Sequence, residues 1–148
     1  MAGSEHSSAW PEANRATGRK CVLIVEDNPL NLKLFSAMIA SQGYDVVQAT
    51  DGPGGLDVAH REHPDLIIMD VQLPGMSGLE VAHTLKADDE TKDIPIIATT
   101  AYALGGDEEK IRAGGCDGYM AKPIAITEFL ALVQRLIVRR RRAPRYVA

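Results

Sequence analysis

The sequence is poor in cysteine, in aromatic residues and in long apolar runs. Its 148 residues include two cysteines, Cys21 and Cys116, which are too few for a disulfide scaffold and favour a reducing compartment. Aromatic residues make up only 5%, so aliphatic side chains must build the core. No apolar run approaches the roughly 18 residues of a membrane-spanning helix, and residues 1–20 lack the apolar segment of a signal peptide. These absences exclude secreted and membrane-spanning proteins, and we expect a cytoplasmic protein without membrane insertion.

Positive charge is scarce in the central part of the chain. The net charge is −4, but residues 21–138 contain eight Lys or Arg against eighteen Asp or Glu, whereas residues 139–148 contain five arginines. Such an acidic domain would repel the phosphates of nucleic acid, so we expect no nucleic-acid partner. The run Arg139–Arg142 is typical of a solvated helix end; a tether to an acidic partner or to membrane lipids is the alternative.

Strand-length apolar runs alternate with amphipathic segments between residues 20 and 138. Residues 1–19 predict a flexible N-terminal extension, and residues 139–148 form a basic C-terminal tail. Strands are predicted at 21–25, 45–49, 65–70, 94–100 and 118–122. Helices are predicted from the cap Asn28 to about Gly43, and at 54–62, 77–87, 106–115 and 124–138.

Five strands alternating with five helices predict a three-layer α/β domain with a parallel sheet. We expect a (βα)5 doubly wound, flavodoxin-like fold with strand order 2-1-3-4-5. In that topology the working site lies at the carboxyl ends of the first and third strands.

Three acidic residues follow the strands that meet at this predicted site. Glu26 and Asp27 come directly after the first strand, and Asp70 ends the third. Neighbouring strands lie about 5 Å apart, so the three carboxylates should converge and repel one another unless a cation neutralises them. Hard oxygen ligands at a partly hydrated site favour Mg²⁺.

Further polar groups end the remaining strands at the same edge of the sheet. Thr99 and Thr100 end the fourth strand and Lys122 ends the fifth. With Mg²⁺ they could hold a phosphoryl group while one carboxylate acts as the nucleophile. Each residue alone has an ordinary structural explanation, as a turn former, helix cap or loop residue; the prediction depends on their convergence.

The sequence contains the stretches CVLIVEDN, DLIIMDVQLPGMSGLE, IPIIATTA and GYMAKP. These stretches resemble the signatures of the CheY-like receiver domain of two-component response regulators. The resemblance runs from about Cys21 to Val138. The segments EDNPLNLKLF and GDEEKIRAGGC are similar to those of single-domain regulators of the DivK type.

The resemblance implies a role for each residue of the site. Asp70 matches the phosphoacceptor, and Lys122 matches the phosphate-binding lysine, with a cis Lys122–Pro123 peptide bond. For Mg²⁺, Asp27 is implied as a direct ligand, Glu26 as a ligand through water and Gln72 as a ligand through its main-chain carbonyl.

The resemblance also implies a switch and its partners. Thr100 matches the hydroxyl that turns toward the phosphoryl group, and Tyr119 matches the aromatic residue that follows it inward. Gln72 occupies a position at which members of the family tune the rate of dephosphorylation. The implied donors are histidine kinases or a histidine phosphotransfer protein of a bacterial cytoplasm. The implied output is contact of a downstream protein with the face of the fourth helix, fifth strand and fifth helix, in cell-cycle or developmental control.

Three alternatives remain open. A Mg²⁺-dependent aspartyl-phosphate phosphatase or phosphotransferase usually carries a second Asp two residues after the nucleophile, where this chain has Gln72. A degenerate receiver would act as a constitutive binding module. A flavodoxin-like cofactor binder is disfavoured by the scarcity of loop aromatics. The starting Met1 and the short basic ending favour a complete small protein over a receiver excised from a hybrid kinase.

Overall fold

The computed structural model describes residues 18–101 and 107–138. The predicted basic tail and nearly all of the predicted extension lie outside these residues, as does Gly106 at the predicted start of the fourth helix. The elements in chain order are β1 (Cys21–Val25), α1 (Pro29–Ala40), β2 (Asp45–Ala49), α2 (Gly52–Glu62), β3 (Leu66–Asp70), α3 (Gly78–Lys86), β4 (Ile96–Thr100), α4 (Asp107–Ala113), β5 (Gly118–Ala121) and α5 (Ile126–Ile137). None of the helices in the described ranges is both long and apolar enough to cross a membrane.

The five strands form one parallel sheet in the order β2-β1-β3-β4-β5, which confirms the predicted topology. Strands β1, β3 and β4 are buried along their whole length, as continuous apolar runs in a parallel sheet require. β4 begins at Ile96, two residues later than predicted. Pro95 precedes it, and a proline has no N–H to donate to the sheet ladder.

Helices cover both faces of the sheet and give the domain its three layers. One core cluster joins the sheet to α2, α3 and α4, and a second joins it to α1 and α5. Phe35 and Phe129 meet in the second cluster with ring centroids 5.5 Å apart. Because alternate strand residues point to opposite faces, each side chain at the strand ends belongs to one of these two sides.

Residues at the helix starts fix where the loops of the carboxyl edge turn. Asn28 caps α1 and its side chain accepts the N–H of Asn31 at 2.9 Å, as predicted. α2 begins at Gly52, two residues earlier than predicted, because Asp51 caps it and accepts the Gly54 N–H at 2.7 Å.

The apolar residues of α1 do not all face the sheet. Phe35 and Ile39 are buried, whereas Leu30 and Leu34 are 63% and 53% exposed. Both pairs have helical spacing, but they lie on adjacent lines of the helix surface, and only one line can point into the core.

Candidate functional site

Three carboxylates converge at the carboxyl edge of β1 and β3. Val25 pairs with Met69 in the β1–β3 ladder, so Glu26 and Asp70, the next residues on each chain segment, lie side by side. One carboxylate oxygen from each of Glu26, Asp27 and Asp70 lies within 4.8 Å of the other two. Glu26 and Asp70 are 1% and 3% exposed, while Asp27 is exposed to solvent. The predicted convergence of the three acids is therefore present.

One lysine, Lys122, forms ion pairs with both buried carboxylates. Lys122 Nζ donates to Glu26 Oε1 at 3.2 Å and to Asp70 Oδ2 at 3.3 Å. It reaches them because the Lys122 N–H bonds to the Thr100 carbonyl at 2.8 Å, which extends the β4–β5 ladder to the edge. The Lys122–Pro123 peptide bond is cis.

Burial dominates the electrostatics of Glu26. Desolvation raises its pKa above the ordinary value, and the nearby charge of Asp70 raises the pKa further. The Asn28 N–H, which donates to Glu26 Oε2 at 3.1 Å, and the Lys122 ammonium act in the opposite direction. The net direction of the pKa is upward, because the cost of burying the charge outweighs these two stabilising contacts.

The cluster can hold a hard divalent cation. Its three acids supply oxygen ligands from two adjacent loops, and one of them opens to solvent, where a partly hydrated ion requires room. The donor set contains no sulfur or imidazole, so it suits Mg²⁺ better than Zn²⁺.

Burial raises the pKa of the Cys116 thiol to about 11, so Cys116 remains protonated and unreactive at neutral pH.

The two threonines that end β4 point to opposite sides. Thr99 pairs with Asp70 and is fully buried, and its hydroxyl has no hydrogen-bond partner among the described residues. Thr100 lies on the side of α2 and α3, where its Oγ1 accepts a hydrogen bond from Gln72 Nε2 at 2.9 Å. Tyr119 is half-buried against the core cluster on the same side as Thr100.

Gln72 makes contacts that the sequence did not predict. Its N–H donates to Asp70 Oδ1 at 3.0 Å, and its side-chain Oε1 accepts the Ala101 N–H at 3.2 Å. The resemblance implied a main-chain carbonyl ligand and a position that tunes dephosphorylation, but neither of these contacts, because a side-chain conformation cannot be read from residue order.

The start of α3 packs closely on the phosphoacceptor position implied by the resemblance. Ser77 and Glu80 form a reciprocal capping box at this helix start. The N–H of Gly78 bonds to the Val71 carbonyl at 3.0 Å, and a Cβ at Gly78 would collide with the Asp70 carbonyl oxygen. Only glycine permits this approach, which fixes the backbone on which the Asp70 side chain stands.

The family model for the response regulator receiver domain matches residues 22–134 of the chain. The chain belongs to this family. Receiver domains of response regulators are phosphoacceptors, and the fold and the carboxylate cluster described above agree with that role.

Curated relatives narrow the similarity within the receiver family. The chain is 51% identical over 115 residues to the polar-differentiation response regulator DivK of Brucella ovis, covering 78% of this chain and 94% of the relative. The DivK of Brucella anthropi gives the same identity and coverage. This receiver is thus homologous to DivK over most of its length.

Solved receiver domains share this fold, and one of these structures contains a metal ion. The receiver domain of sensor histidine kinase PA1611 from Pseudomonas aeruginosa has a magnesium ion coordinated in its active site cleft. It superposes with a TM-score of 0.75 at 38% identity, over 81% of this chain and 98% of that one. Vibrio cholerae CheY4 superposes with a TM-score of 0.75 at 29% identity, over 80% and 98% of the two chains.

Proposed function

We propose that this receiver accepts a phosphoryl group on Asp70 from a phosphohistidine protein and transmits the change by protein–protein contact. One observation carries the proposal: Lys122 Nζ lies 3.3 Å from Asp70 Oδ2 inside a cluster of three carboxylates. A purely structural carboxylate needs one partner, whereas this cluster has an excess of negative charge that suits a cation and a phosphoryl group together.

In the proposed transfer, an oxygen of ionised Asp70 attacks the phosphorus of phosphohistidine in line with the nitrogen that leaves. An O–P bond forms as the N–P bond breaks, and the departing imidazole takes a proton from water. Lys122 shifts its hydrogen bonds from the carboxylates to the phosphoryl oxygens and offsets their charge. The N–H of Gln72 holds Asp70 Oδ1, which orients the other oxygen for attack.

We assign Mg²⁺ to the carboxylates of Glu26, Asp27 and Asp70 and to the main-chain carbonyl of Gln72. When bound, Mg²⁺ supplies positive charge to the oxygens of the phosphoryl group during transfer. The support within this chain is the hard-oxygen donor set, and the magnesium in the PA1611 receiver shows that a related cleft holds this ion.

A protein donor suits the surroundings of Lys122. An apolar groove of about 310 Å³ adjoins it and is lined by Leu34, Phe35, Met38 and Pro123, among others. Leu34 is 53% exposed, and exposed apolar surface beside a reactive group favours contact with another protein. We therefore propose a histidine kinase or a histidine phosphotransfer protein as the donor.

The proposed output surface is the face of α4, β5 and α5. A groove of about 410 Å³ on this face is lined from α4 by Glu108 and Arg112, from β5 by Tyr119 and from α5 by Glu128 and Arg135, among others. We propose that Thr100 turns toward the aspartyl phosphate and that Tyr119 moves inward behind it, which reshapes this groove for a downstream protein.

The biological setting is proposed from the DivK relatives, which are named for polar differentiation. We propose a cell-cycle or developmental role in a bacterial cytoplasm, which that homology supports. Separate turnover of a small substrate is not expected. The residue two positions after Asp70 would have to act as a general acid, and the Gln72 carboxamide has no titratable proton to give.

Intact mass after incubation with acetyl phosphate and Mg²⁺ tests the proposal. We expect one phosphoryl group on the wild type and none on Asp70→Asn or in EDTA. Asp117→Asn is the matched control, because Asp117 is an acid at the opposite edge of the sheet and should leave uptake intact. The absence of an adduct on the wild type, from acetyl phosphate and from a phosphohistidine protein alike, would overturn the proposal and leave a constitutive binding module.

A further inference from the structure

The side chain of Gln72 bridges the ends of β3 and β4. Its Nε2 donates to Thr100 Oγ1 at 2.9 Å, and its Oε1 accepts the Ala101 N–H at 3.2 Å. Thr100 is 2% exposed, so little water can replace the hydrogen bond at its hydroxyl. One side chain therefore holds both the proposed switch hydroxyl and the first backbone N–H beyond β4.

Chemistry fixes the orientation of this carboxamide. The Ala101 N–H can only donate, so it must face the amide oxygen of Gln72. The amide nitrogen then faces Thr100, whose hydroxyl oxygen accepts. A carboxamide is the one neutral side-chain group that offers a donor and an acceptor side by side, and asparagine is one methylene shorter. The two contacts thus depend on glutamine at position 72.

We propose that the Gln72 carboxamide is a latch that holds Thr100 and Ala101 in the resting arrangement and sets how readily the receiver switches. The latch rests on the proposed function, in which the Thr100 hydroxyl turns toward a phosphoryl group on Asp70. That rotation withdraws Oγ1 from Gln72 Nε2, so switching must break at least one of the two hydrogen bonds. Since one group makes both hydrogen bonds, loss of one loosens the other.

The latch opposes switching without opposing phosphoryl chemistry directly. Removing it should raise the equilibrium population of the switched conformer in the unphosphorylated protein, because only the resting state loses hydrogen bonds. Two net hydrogen bonds, one at the buried Thr100 hydroxyl and one at the exposed Ala101 N–H, correspond to about a tenfold change in that equilibrium. A ligand that selects the switched conformer should then bind about tenfold more tightly.

The first experiment needs no phosphoryl group. Amide hydrogen exchange is measured for Ala101 in the metal-free protein, comparing the wild type with Gln72→Met, which keeps the chain length and loses both hydrogen bonds. We expect about tenfold faster exchange of the Ala101 amide in the variant. Unchanged exchange would overturn the latch, because that N–H would then have another partner or none that protects it.

The second experiment measures the switch itself with beryllium trifluoride, an analogue of the phosphoryl group, in the presence of Mg²⁺. We expect Gln72→Met to bind it about tenfold more tightly than the wild type, and this gain to fall below half in a Thr100→Val background. Gln48→Met is the matched control. Gln48 Nε2 also donates to a hydroxyl, Ser36 Oγ at 2.8 Å, but this serine lies on α1 and not at the end of β4. The control should bind like the wild type.

Each outcome separates the latch from the function on which it rests. Weaker or equal binding by Gln72→Met would overturn the latch while leaving Asp70 as the phosphoacceptor. A gain explained wholly by a changed affinity for Mg²⁺ alone, titrated in parallel, would also overturn it. Failure of every variant and of the wild type to bind beryllium trifluoride would overturn the proposed function and the latch's role in switching together.

Discussion

Acids lie at both edges of the sheet, and their partners differ between the two edges. At the amino edge Asp117 Oδ2 accepts hydrogen bonds from Lys86 Nζ at 3.0 Å and from the Ile96 N–H at 2.9 Å. At the carboxyl edge Glu26 and Asp70 share the single ammonium of Lys122, with Asp27 beside them. Asp117 is therefore balanced by a lysine and a backbone N–H of its own, whereas the carboxyl edge leaves negative charge for something that binds there.

Lys86 should be the most costly residue to remove at the amino edge. Besides Asp117, its ammonium donates to the carbonyls of Ile94 at 2.8 Å and Lys92 at 3.2 Å. Lys86→Met leaves these acceptors without their hydrogen-bond donor, and we expect the free energy of unfolding to fall by about 2 kcal/mol. Urea denaturation measures this change. Lys92→Met, which removes an exposed pair with Asp89, should leave the midpoint unchanged; equal losses in the two variants would contradict the difference drawn between them.

Removing a negative charge should have opposite signs at the two edges. Asp117→Asn should lower the free energy of unfolding by about 1 kcal/mol, because Lys86 loses its counter-ion. Glu26→Gln, measured in EDTA at neutral pH, should raise it by about 1 kcal/mol, because it removes one of two carboxylates that share a lysine. Destabilisation by both changes would show that the carboxyl edge is as well balanced as the amino edge.

The pH dependence follows from the raised pKa of Glu26. A carboxyl whose folded pKa exceeds its unfolded value stabilises the fold below the unfolded value of 4.5 and loses that contribution as pH rises through the folded pKa. The metal-free wild type should therefore lose stability relative to Glu26→Gln over this range. Mg²⁺ should reverse the order of the two proteins, since it binds the ionised carboxylate.

The smallest expected effect is at His60, which joins α2 to the segment after α3. Its ring nitrogens lie 2.8 Å from the Leu56 carbonyl and 2.7 Å from Asp88 Oδ2. Both are acceptors, so the doubly protonated ring fits best, and the hydrogen bond to Asp88 raises the pKa of His60. This contribution is complete below the unfolded pKa of 6.5 and disappears as pH rises through the folded value.

Comparison with His60→Gln tests this contribution. The wild type should exceed the variant in thermal midpoint below pH 6.5 and approach it at alkaline pH. His83→Gln, on the exposed side of α3, controls for loss of an imidazole. A difference between wild type and His60→Gln that stays constant with pH would show that the ring packs but does not carry the charge.

Much of the carboxyl edge could be predicted from the sequence because its residues follow directly from strand ends. Apolar runs mark β1 and β3, the alternation with helices fixes the strand order, and that order brings Glu26 beside Asp70. These steps use only periodicity and topology. The roles of Thr100, Tyr119 and Lys122 remain predictions, and the experiments above test that of Thr100.

The remaining contacts depend on side-chain conformations that cannot be predicted from the sequence pattern. The ammonium of Lys86 reaches across to the segment before β4, and the carboxamide of Gln72 reaches Thr100 from a different strand. Leu34 has the helical spacing of a core residue and yet lies at the surface. In each case the residue type permits several partners, and the packed neighbours decide among them.

The contact between Gly78 and the Asp70 carbonyl has a consequence for how this protein can evolve. Every missense change that one nucleotide can make in a glycine codon introduces a Cβ, and at position 78 that atom has no room. Genetic drift therefore has no neutral first step here. The point where α3 rests on the end of β3 is closed to change by single substitutions.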